Sequence, residues 1–296
     1  MITVAEGPVQ LNLVTEAVIV DGMPADDYHA DRTSISSSGL RALLNPGCPA
    51  QFKYDIDHPQ PSKKEFDFGH AAHKLVLGEG PDLEVVEGAR WDTKDAKAQV
   101  AAIRERGGVP LKKHEYEQVQ AMADAIRRHP LAGPLLMPGT GIAERSIWWT
   151  DPATGVRCRC RPDRLKQLPG LTLCVDYKST RDASPTGISK AIETYGYHQQ
   201  DALYVDGIEA AGLAARGSAR FVFVFQSKIA PYLITVRELS EHDRTIGRAK
   251  NDRALRTYAE CLRTDTWPDW TGPVTDIPEI SLPAWAAIRE AEEYLQ

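Results

Sequence analysis

The sequence predicts an α/β fold in which a central mixed β-sheet is flanked by helices and carries an N-terminal extension. Runs of strand-forming residues bounded by turn residues predict five strands: 142–150, 156–166, 171–180, 219–226 and 231–238. The segments around them have the apolar spacing of amphipathic helices. The 296 residues, 42% of them hydrophobic, suffice for a large core. We expect one main domain over residues 61–296, with residues 1–60 packing on it as an extension.

The N-terminal half is predicted to be mainly helical after a first extended segment. Residues 9–22 have an extended pattern that ends at the turn residues Asp21 and Gly22. Ser36, Ser37 and Ser38 offer capping oxygens for a helix within residues 34–44. Three further helices are predicted over residues 65–77, 93–106 and 114–128. The Pro- and Gly-rich stretch 129–141 then interrupts the helices.

The C-terminal half alternates between strands and helices. The turn segments 151–155 and 168–170 separate the first three strands. A helical region over residues 185–213 leads to the last two strands. A long charged helix over residues 240–263 follows, and its basic residues could line a DNA channel or belong to a solvated face. A short helix begins near residue 283.

Charge and cysteine content restrict the class of protein. The formal net charge of −6 argues mildly against a broad nucleic-acid-binding surface but is compatible with one local groove. The number of cysteines is odd and the chain shows no signal peptide, so we expect a reducing, cytoplasmic setting. No apolar run reaches the ~18–20 residues of a transmembrane helix, so no membrane association is expected.

Two carboxylates and a lysine form the most informative pattern. Asp176 and Lys178 are two residues apart on a predicted strand and therefore project from one face, ~7 Å apart. Asp163, on the preceding strand of a predicted hairpin, could lie beside Asp176. Carboxylates bind Mg²⁺, and a lysine can position a water molecule and offset charge on a phosphate. The Asp-x-Lys pair taken alone is more typical of a solvated, salt-bridged strand face.

Residues on two predicted helices extend this pattern. Gln200 and Tyr204 are four residues apart and share a helix face, on which Tyr197 also lies. This is an unusual polar stripe for a core helix, although amphipathic packing of tyrosine is an alternative. His73 could donate a ring nitrogen to a metal or phosphate. A structural role for His73 is the alternative, and His70 is a competing candidate.

The order of these residues resembles the RecB-like branch of the PD-(D/E)XK nucleases. The segments FGHAAHKLVLGEG, RCRCRPDRL, CVDYKSTRDAS and YGYHQQDALYVDG resemble RecE-type (exonuclease VIII-like) enzymes of phages and prophages, and the resemblance covers roughly residues 25–285. It implies a PD-(D/E)XK nuclease core. The roles that it implies are as follows: His73, Asp163, Asp176 and the backbone carbonyl of Tyr177 as metal ligands, Lys178 positioning the water, and Gln200, Tyr204, Tyr197 and Arg161 contacting DNA. Glu144 is an additional candidate carboxylate, for which an exposed strand residue is the simpler interpretation.

The resemblance also implies a Mg²⁺-dependent exonuclease, in which Mn²⁺ can substitute. Such an enzyme degrades linear double-stranded DNA from its ends, 5′ to 3′, and leaves 3′ single-stranded tails. Its partners would be a RecT-like annealing recombinase and further copies of itself in a ring, inside a bacterial cell that carries the phage or prophage. The alternatives are a nuclease for single-stranded or flap DNA in repair or defence, and a non-catalytic DNA-binding relative. The intact acidic and lysine set disfavours the non-catalytic alternative.

The cysteines do not fit a metal cluster. Some relatives hold an iron–sulfur cluster through one cysteine before the nuclease core and three after it. Cys48 stands where the first could be, but Cys261 alone follows the core, so no iron–sulfur cluster is expected. Cys158, Cys160 and Cys174 have poor spacing for zinc, and buried free thiols are the favoured interpretation.

Overall fold

The structure is a computed structural model that describes residues 17–44, 47–58, 65–88, 90–271 and 277–295. One feature of the predicted pattern, the part of the extended segment before residue 17, lies outside these ranges. Among the described helices, none combines the length and the apolar character that crossing a membrane requires.

The elements of the described residues follow the predicted alternation. The strands are β1 (Val18–Val20), β2 (Leu83–Val85), β3 (Val109–Leu111), β4 (Ile142–Ala143), β5 (Ser146–Thr150), β6 (Arg157–Cys160), β7 (Arg164–Leu168), β8 (Leu171–Thr180), β9 (Ala219–Ser227) and β10 (Ile234–Arg237). The helices are α1 (Ala25–Ala30), α2 (Ser37–Leu44), α3 (Pro49–Asp57), α4 (Glu65–Leu77), α5 (Lys94–Glu105), α6 (Lys113–Arg128), α7 (Ala132–Leu136), α8 (Pro185–Tyr195), α9 (Tyr197–Ala210), α10 (Glu241–Thr264) and α11 (Ala284–Tyr294).

The central sheet is mixed, which confirms the predicted fold class. Its five strands run in the order β10-β9-β8-β7-β4. The middle strand, β8, pairs antiparallel with β7 and parallel with β9. A parallel neighbour requires a crossover connection, and α8 and α9 provide it. Val175 and Tyr177 pack in the core formed with α4 and α6, whereas Cys174 packs in the core on the side of α9.

Two predicted strands are each broken in two, and the breaks transfer the chain between sheets. β4 and β7 belong to the central sheet, whereas β5 and β6 join β1 in a three-stranded sheet. Glu144 interrupts the segment 142–150 with a φ of 52°, a left-handed conformation incompatible with a continuous strand. Pro162 lies between β6 and β7 and has no N–H to donate to a strand ladder. Both breaks lie next to candidate site residues.

The helical predictions are confirmed in most segments. The predicted helix over residues 65–77 is α4, and α5, α6 and α10 match their predicted ranges closely. The predicted region 185–213 is two helices, because Gly196 has a φ of 62°, which glycine adopts without steric cost. The Pro- and Gly-rich break contains the short helix α7, which needs only one turn of chain. The helices α1 and α3 and the small parallel β2–β3 sheet were not predicted.

The N-terminal segments share the main core. Leu40 and Leu43 of α2 and Phe52 of α3 are buried in the same cluster as residues of β5, α9 and α10. The ring of Phe52 lies edge-on to that of Tyr258 in α10, with centroids 5.9 Å apart. A division of the chain at residue 60 stays a prediction, and residues before it contribute directly to this core.

An ionic cluster fixes the segment before α2 to the three-stranded sheet. The carboxylate of Asp31 accepts hydrogen bonds from Thr33, Ser34 and the indole of Trp148 in β5. It also lies 3.3 Å from the guanidinium of Arg159 in β6, which donates to the backbone carbonyl of Ser34 at 2.7 Å. Burial alone would raise the pKa of Asp31, but these hydrogen bonds hold it well below its usual value.

We predict that Asp31→Asn lowers the free energy of unfolding by about 1–3 kcal/mol at pH 7, because it removes a charge-assisted hydrogen-bond acceptor. The folded pKa of Asp31 is below its unfolded value of 3.8. Its stabilisation is therefore complete above that pH and is lost as the pH falls through the folded pKa. Urea unfolding at pH 7 and at pH 3 measures this, and the difference between wild type and variant should shrink at pH 3.

Asp124→Asn is the matched control, since Asp124 forms an exposed i,i+3 ion pair with Arg127 on α6. Such a pair contributes about 0–1 kcal/mol. Equal losses of stability in the two variants at pH 7 would contradict the role of the Asp31 cluster.

Candidate active site

Two buried carboxylates meet where β7 and β8 pair. Arg164, the first residue of β7, is opposite Val175, so the preceding Asp163 lies beside Asp176. The Oδ2 atom of Asp163 accepts a hydrogen bond from the backbone N–H of Tyr177 at 2.7 Å. Burial raises the pKa of Asp163 well above its usual value, and the negative charges of Asp176 and Glu144 raise it further. The spacing of the sequence predicted this meeting of Asp163 and Asp176.

His73 on α4 approaches the same carboxylate. Its Nδ1 atom is 3.6 Å from Oδ2 of Asp163, and its ring lies edge-on to that of Tyr177, with centroids 5.2 Å apart. Enclosure of the ring and the nearby charge of Lys178 lower the pKa of His73 to about 3. The imidazole is therefore neutral at pH 7, which is the form that can bind a metal ion.

Glu144 reaches the cluster from the break between β4 and β5. Ligand atoms of Glu144, His73 and Asp163 all lie within 4.8 Å of one another. A positive φ is uncommon outside glycine, and strained backbone of this kind concentrates at functional sites. Glu144 is therefore not an exposed strand residue. Burial raises its pKa, while the neighbouring Arg161 acts to lower it.

Arg161 is committed to contacts within the protein. Its guanidinium donates to the carboxylate of Glu144 and, at 2.9 Å, to the backbone carbonyl of Met23. It also lies 5.4 Å from the centre of the Tyr28 ring in α1. The side chain is only 11% exposed. Arg161 therefore connects Glu144 to the N-terminal segment through these contacts. Its predicted contact with DNA stays a prediction.

Lys178 and Gln200 hold the two oxygens of Asp176. The ammonium of Lys178 is 2.6 Å from Oδ2, and the amide of Gln200 donates to Oδ1 at 2.7 Å. Burial acts to lower the pKa of Lys178, but the charges of Asp176 and Asp163 outweigh it, and the pKa is raised. Lys178 therefore stays protonated at neutral pH. Asp176 borders the three-residue group of His73, Glu144 and Asp163.

The helix α9 is positioned against α10 by two close contacts. A Cβ atom at Gly247 of α10 would lie 2.0 Å from the carbonyl oxygen of His198, so glycine allows the two helices to approach. The amide of Asn251 donates to the backbone carbonyl of Gln199 at 2.8 Å. These contacts fix the first turn of α9 and direct Gln200 toward β8.

The tyrosines of α9 line the side of the cluster. Lys178 lies 5.1 Å from the centre of the Tyr197 ring. Tyr204, one turn beyond Gln200, packs edge-on against Phe221 of β9, with centroids 5.7 Å apart. Burial raises the pKa of Tyr204 well above 10, so its hydroxyl stays protonated. The structure thus brings the predicted polar stripe to the Asp176 side of the site.

Four of the arginines of α10 divide into two groups. Arg244 is paired with the buried Asp201 of α9 at 2.7 Å, and Arg248 is paired with Asp206 at 2.8 Å. These two ion pairs connect α10 to α9. Arg253 and Arg256 are exposed. The first two therefore have a structural role within the protein.

The donor set fits a divalent cation. When all three carboxylates are ionised, as binding of a cation favours, Glu144, Asp163 and Asp176 exceed the two cations Lys178 and Arg161 by one negative charge in a largely buried place. Carboxylate oxygens and a neutral imidazole are ligands for Mg²⁺ or Mn²⁺. Within the described residues, the histidine, cysteine and acidic side chains form a three-ligand group only at His73, Glu144 and Asp163.

Within the described residues, the cysteines are not part of this ligand group. All five are free and buried. Burial raises the pKa of Cys158 to about 12 and that of Cys160 and Cys174 well above 9. Thiols in this state are inert, small apolar side chains of the core.

One residue near the site was missed by the sequence analysis. Arg41 on α2 lies close enough to Tyr197, Tyr204 and Asp176 for their charges to raise its pKa, although burial has the larger, opposite effect and the net shift is downward. No pattern in the sequence distinguished Arg41 from other helix-surface arginines, because its position depends on the packing of α2 against α9.

Comparisons with known proteins agree with this architecture. A search among curated proteins finds no match. The crystal structure of a proposed exonuclease from Eubacterium rectale is similar, with a TM-score of 0.57 and 11% sequence identity over 90% of this chain and 97% of that one. At this identity the similarity shows a shared fold. The family model described as a PDDEXK-like domain of unknown function (DUF3799) matches residues 36–276. Because this match spans most of the chain, the protein belongs to that PDDEXK-like family.

Proposed function

We propose that this protein is a metal-dependent exodeoxyribonuclease that degrades linear double-stranded DNA from its ends. The observation that carries the proposal is the convergence of neutral His73 with Glu144 and Asp163, beside the Asp176–Lys178 pair. This arrangement places a cation site next to a fixed positive charge. Hydrolysis of a phosphodiester uses both, because the cation activates water and the positive charge stabilises the phosphate. Membership of a PDDEXK-like family supports it.

His73, Glu144 and Asp163 would hold the metal, with Asp176 and the backbone carbonyl of Tyr177 at its border. When bound, Mg²⁺ or Mn²⁺ supplies Lewis acidity toward the phosphate and lowers the pKa of a water molecule. The neutral imidazole and the carboxylates orient this ion, and Gln200 orients Asp176 through its hydrogen bond.

Lys178 acts through its charge. Because its pKa is raised, it remains an ammonium and does not accept the proton of the attacking water at neutral pH. From its place beside Asp176 it can position the water and stabilise the negative charge that develops on the phosphate. Tyr197, Tyr204 and Gln200 line the adjacent wall, where the DNA strand would lie.

The finer parts of the proposal rest on the resemblance to RecE-type exonucleases. They are 5′ to 3′ polarity, a 3′ single-stranded product, a RecT-like annealing partner, a homo-oligomeric ring and a phage or prophage origin in the bacterial cytoplasm. The proposed exonuclease from Eubacterium rectale, which has the same fold, supports action on polynucleotide ends.

We predict that Asp163→Asn and Asp176→Asn each lower kcat/KM for DNA cleavage by about 10³-fold, because each removes a charge that holds or borders the cation. The substrate is linear duplex DNA labelled separately at its 5′ and 3′ ends, with Mg²⁺, and the controls are EDTA and a covalently closed circle. Early release of the 5′ label from the linear substrate alone is the expected result.

Asp82→Asn is the matched control, since the side chain of Asp82 is 93% exposed. It should cleave as wild type does. Release of the 3′ label first would reverse the proposed polarity, and cleavage of circles or single strands would favour the role in repair or defence. Metal-dependent cleavage that survives both asparagine substitutions would overturn the site.

We predict that Gln200→Ala weakens Mn²⁺ binding and activity by about 10–100-fold, because Asp176 loses the hydrogen bond that orients it. Gln200→Glu should lower activity as well, because its carboxylate cannot donate to Asp176, although its negative charge should restore part of the Mn²⁺ affinity. Titration calorimetry with Mn²⁺ measures the affinity, and Gln120→Ala on the exposed face of α6 is the control. Wild-type affinity and activity in Gln200→Ala would refute the positioning role.

A further inference from the structure

A cavity of about 610 Å³ opens beside the candidate active site. It is bounded by α2, by the joint between α8 and α9, and by α10. Its wall includes Tyr197, whose ring also lies under Lys178 at 5.1 Å, so the cavity adjoins the catalytic cluster. This volume is within the range of ~300–1,000 Å³ that small-molecule sites occupy. A DNA duplex is wider than its major groove, which alone measures ~12 Å across. A duplex is therefore too large for this cavity.

Two cations, Arg41 and Lys250, face this cavity. Among the described residues, neither Arg41 nor Lys250 has a carboxylate oxygen within 4.0 Å. The guanidinium of Arg41 donates to the backbone carbonyl of Tyr195. Its aliphatic part crosses Gly196, where a Cβ atom would lie 2.7 Å from Cδ of Arg41. The glycine at the helix joint therefore makes room for a partly buried arginine that forms no close ion pair with a described carboxylate.

The remaining polar wall leaves a net positive charge. Glu193 is exposed at the rim, where its carboxylate accepts a hydrogen bond from Thr194 at 3.4 Å. It offsets one of the two cations but pairs with neither. A partly buried positive site of this kind is suited to a phosphate group, which takes charge-assisted hydrogen bonds from both arginine and lysine.

An exposed aromatic ring lies at the same joint. Tyr195 is 59% exposed, although tyrosine usually buries most of its ring. Its ring packs against Tyr197, with centroids 5.6 Å apart at an angle of 32°. Tyr197 packs in turn on Phe223 of β9, at 5.7 Å. The rings therefore form a supported platform that leads from Lys178 to the cavity, and a platform of this kind can stack a nucleic-acid base.

We propose that this cavity binds one nucleotide of a single DNA strand adjacent to the scissile phosphate, with its phosphate on Arg41 and Lys250 and its base on Tyr195. The proposal rests on the proposed function, because it places the strand that passes the catalytic cluster. The cavity would separate this strand from its complement, since a duplex cannot enter.

The test measures by fluorescence anisotropy how tightly the full chain binds a fluorescein-labelled oligothymidylate of ten nucleotides. The parent protein carries Asp176→Asn, so that the probe is not cleaved. Tyr195→Ala should weaken binding about tenfold, and Tyr195→Phe should retain it because the ring remains. Lys250→Gln should weaken binding and lower the slope of log K against log salt by about 0.7, the value for one phosphate contact on a single strand.

The matched controls are Arg253→Gln, on the exposed face of α10, and Tyr294→Ala, a 72% exposed tyrosine on α11. Both should bind as the parent does. Unchanged binding in Tyr195→Ala and Lys250→Gln, or equal losses in the controls, would overturn the proposal.

Cleavage by the wild-type chain separates this proposal from the function. If the wild type cleaves DNA while the cavity variants bind normally, the cavity proposal fails and the nuclease stands. If the cavity variants lose binding but the wild type cleaves no DNA with Mg²⁺ or Mn²⁺, the nuclease proposal fails and the nucleotide site stands.

Discussion

The repulsion between two buried carboxylates is the constraint around which this protein is built. Asp163, just before β7, lies beside Asp176 of β8, where burial makes uncompensated charge costly. Each nearby element supplies part of the compensation: the N–H of Tyr177 for Asp163, and Lys178 and Gln200 for Asp176. Buried charges are often no more stabilising than a well-packed hydrophobic pair, so the arrangement is explained by what the charges can bind.

The same constraint accounts for the irregular parts of the fold. The chain leaves one sheet and enters the other at Glu144 and at Pro162, and the backbone turn at Glu144 directs its carboxylate to His73. A continuous strand would place Glu144 in a regular ladder. The tight contact of α9 with α10 at Gly247 has a comparable role, because it fixes the helix that carries Gln200. The cluster thus depends on four separate segments of the chain: α4, the break after β4, the paired strands β7 and β8, and α9.

The parts of the site that follow from local periodicity could be predicted from the sequence. Strand alternation placed Asp176 and Lys178 on one face, and helical spacing placed Gln200 beside Tyr204. The mixed sheet and the helix that carries His73 were predicted in the same way. The conformation of Glu144, the pairing of Arg161 and the position of Arg41 were not, because they depend on which distant segments pack together. The two predicted strands that are interrupted, 142–150 and 156–166, are interrupted where the chain passes from one sheet to the other.

The close connection of β7 to β8 has a consequence for how the protein folds. Pro169 and Gly170 join the two strands, so this hairpin closes a short loop at little entropic cost. Pairing of β8 with β9 and the approach of α4 join distant parts of the chain, and such contacts slow folding. We therefore expect β7 and β8 to associate first and to bring Asp163 and Asp176 together in a hydrated state, where water weakens the repulsion. Because Lys178 belongs to β8, the hairpin carries its own neutralising charge before the rest of the protein arrives.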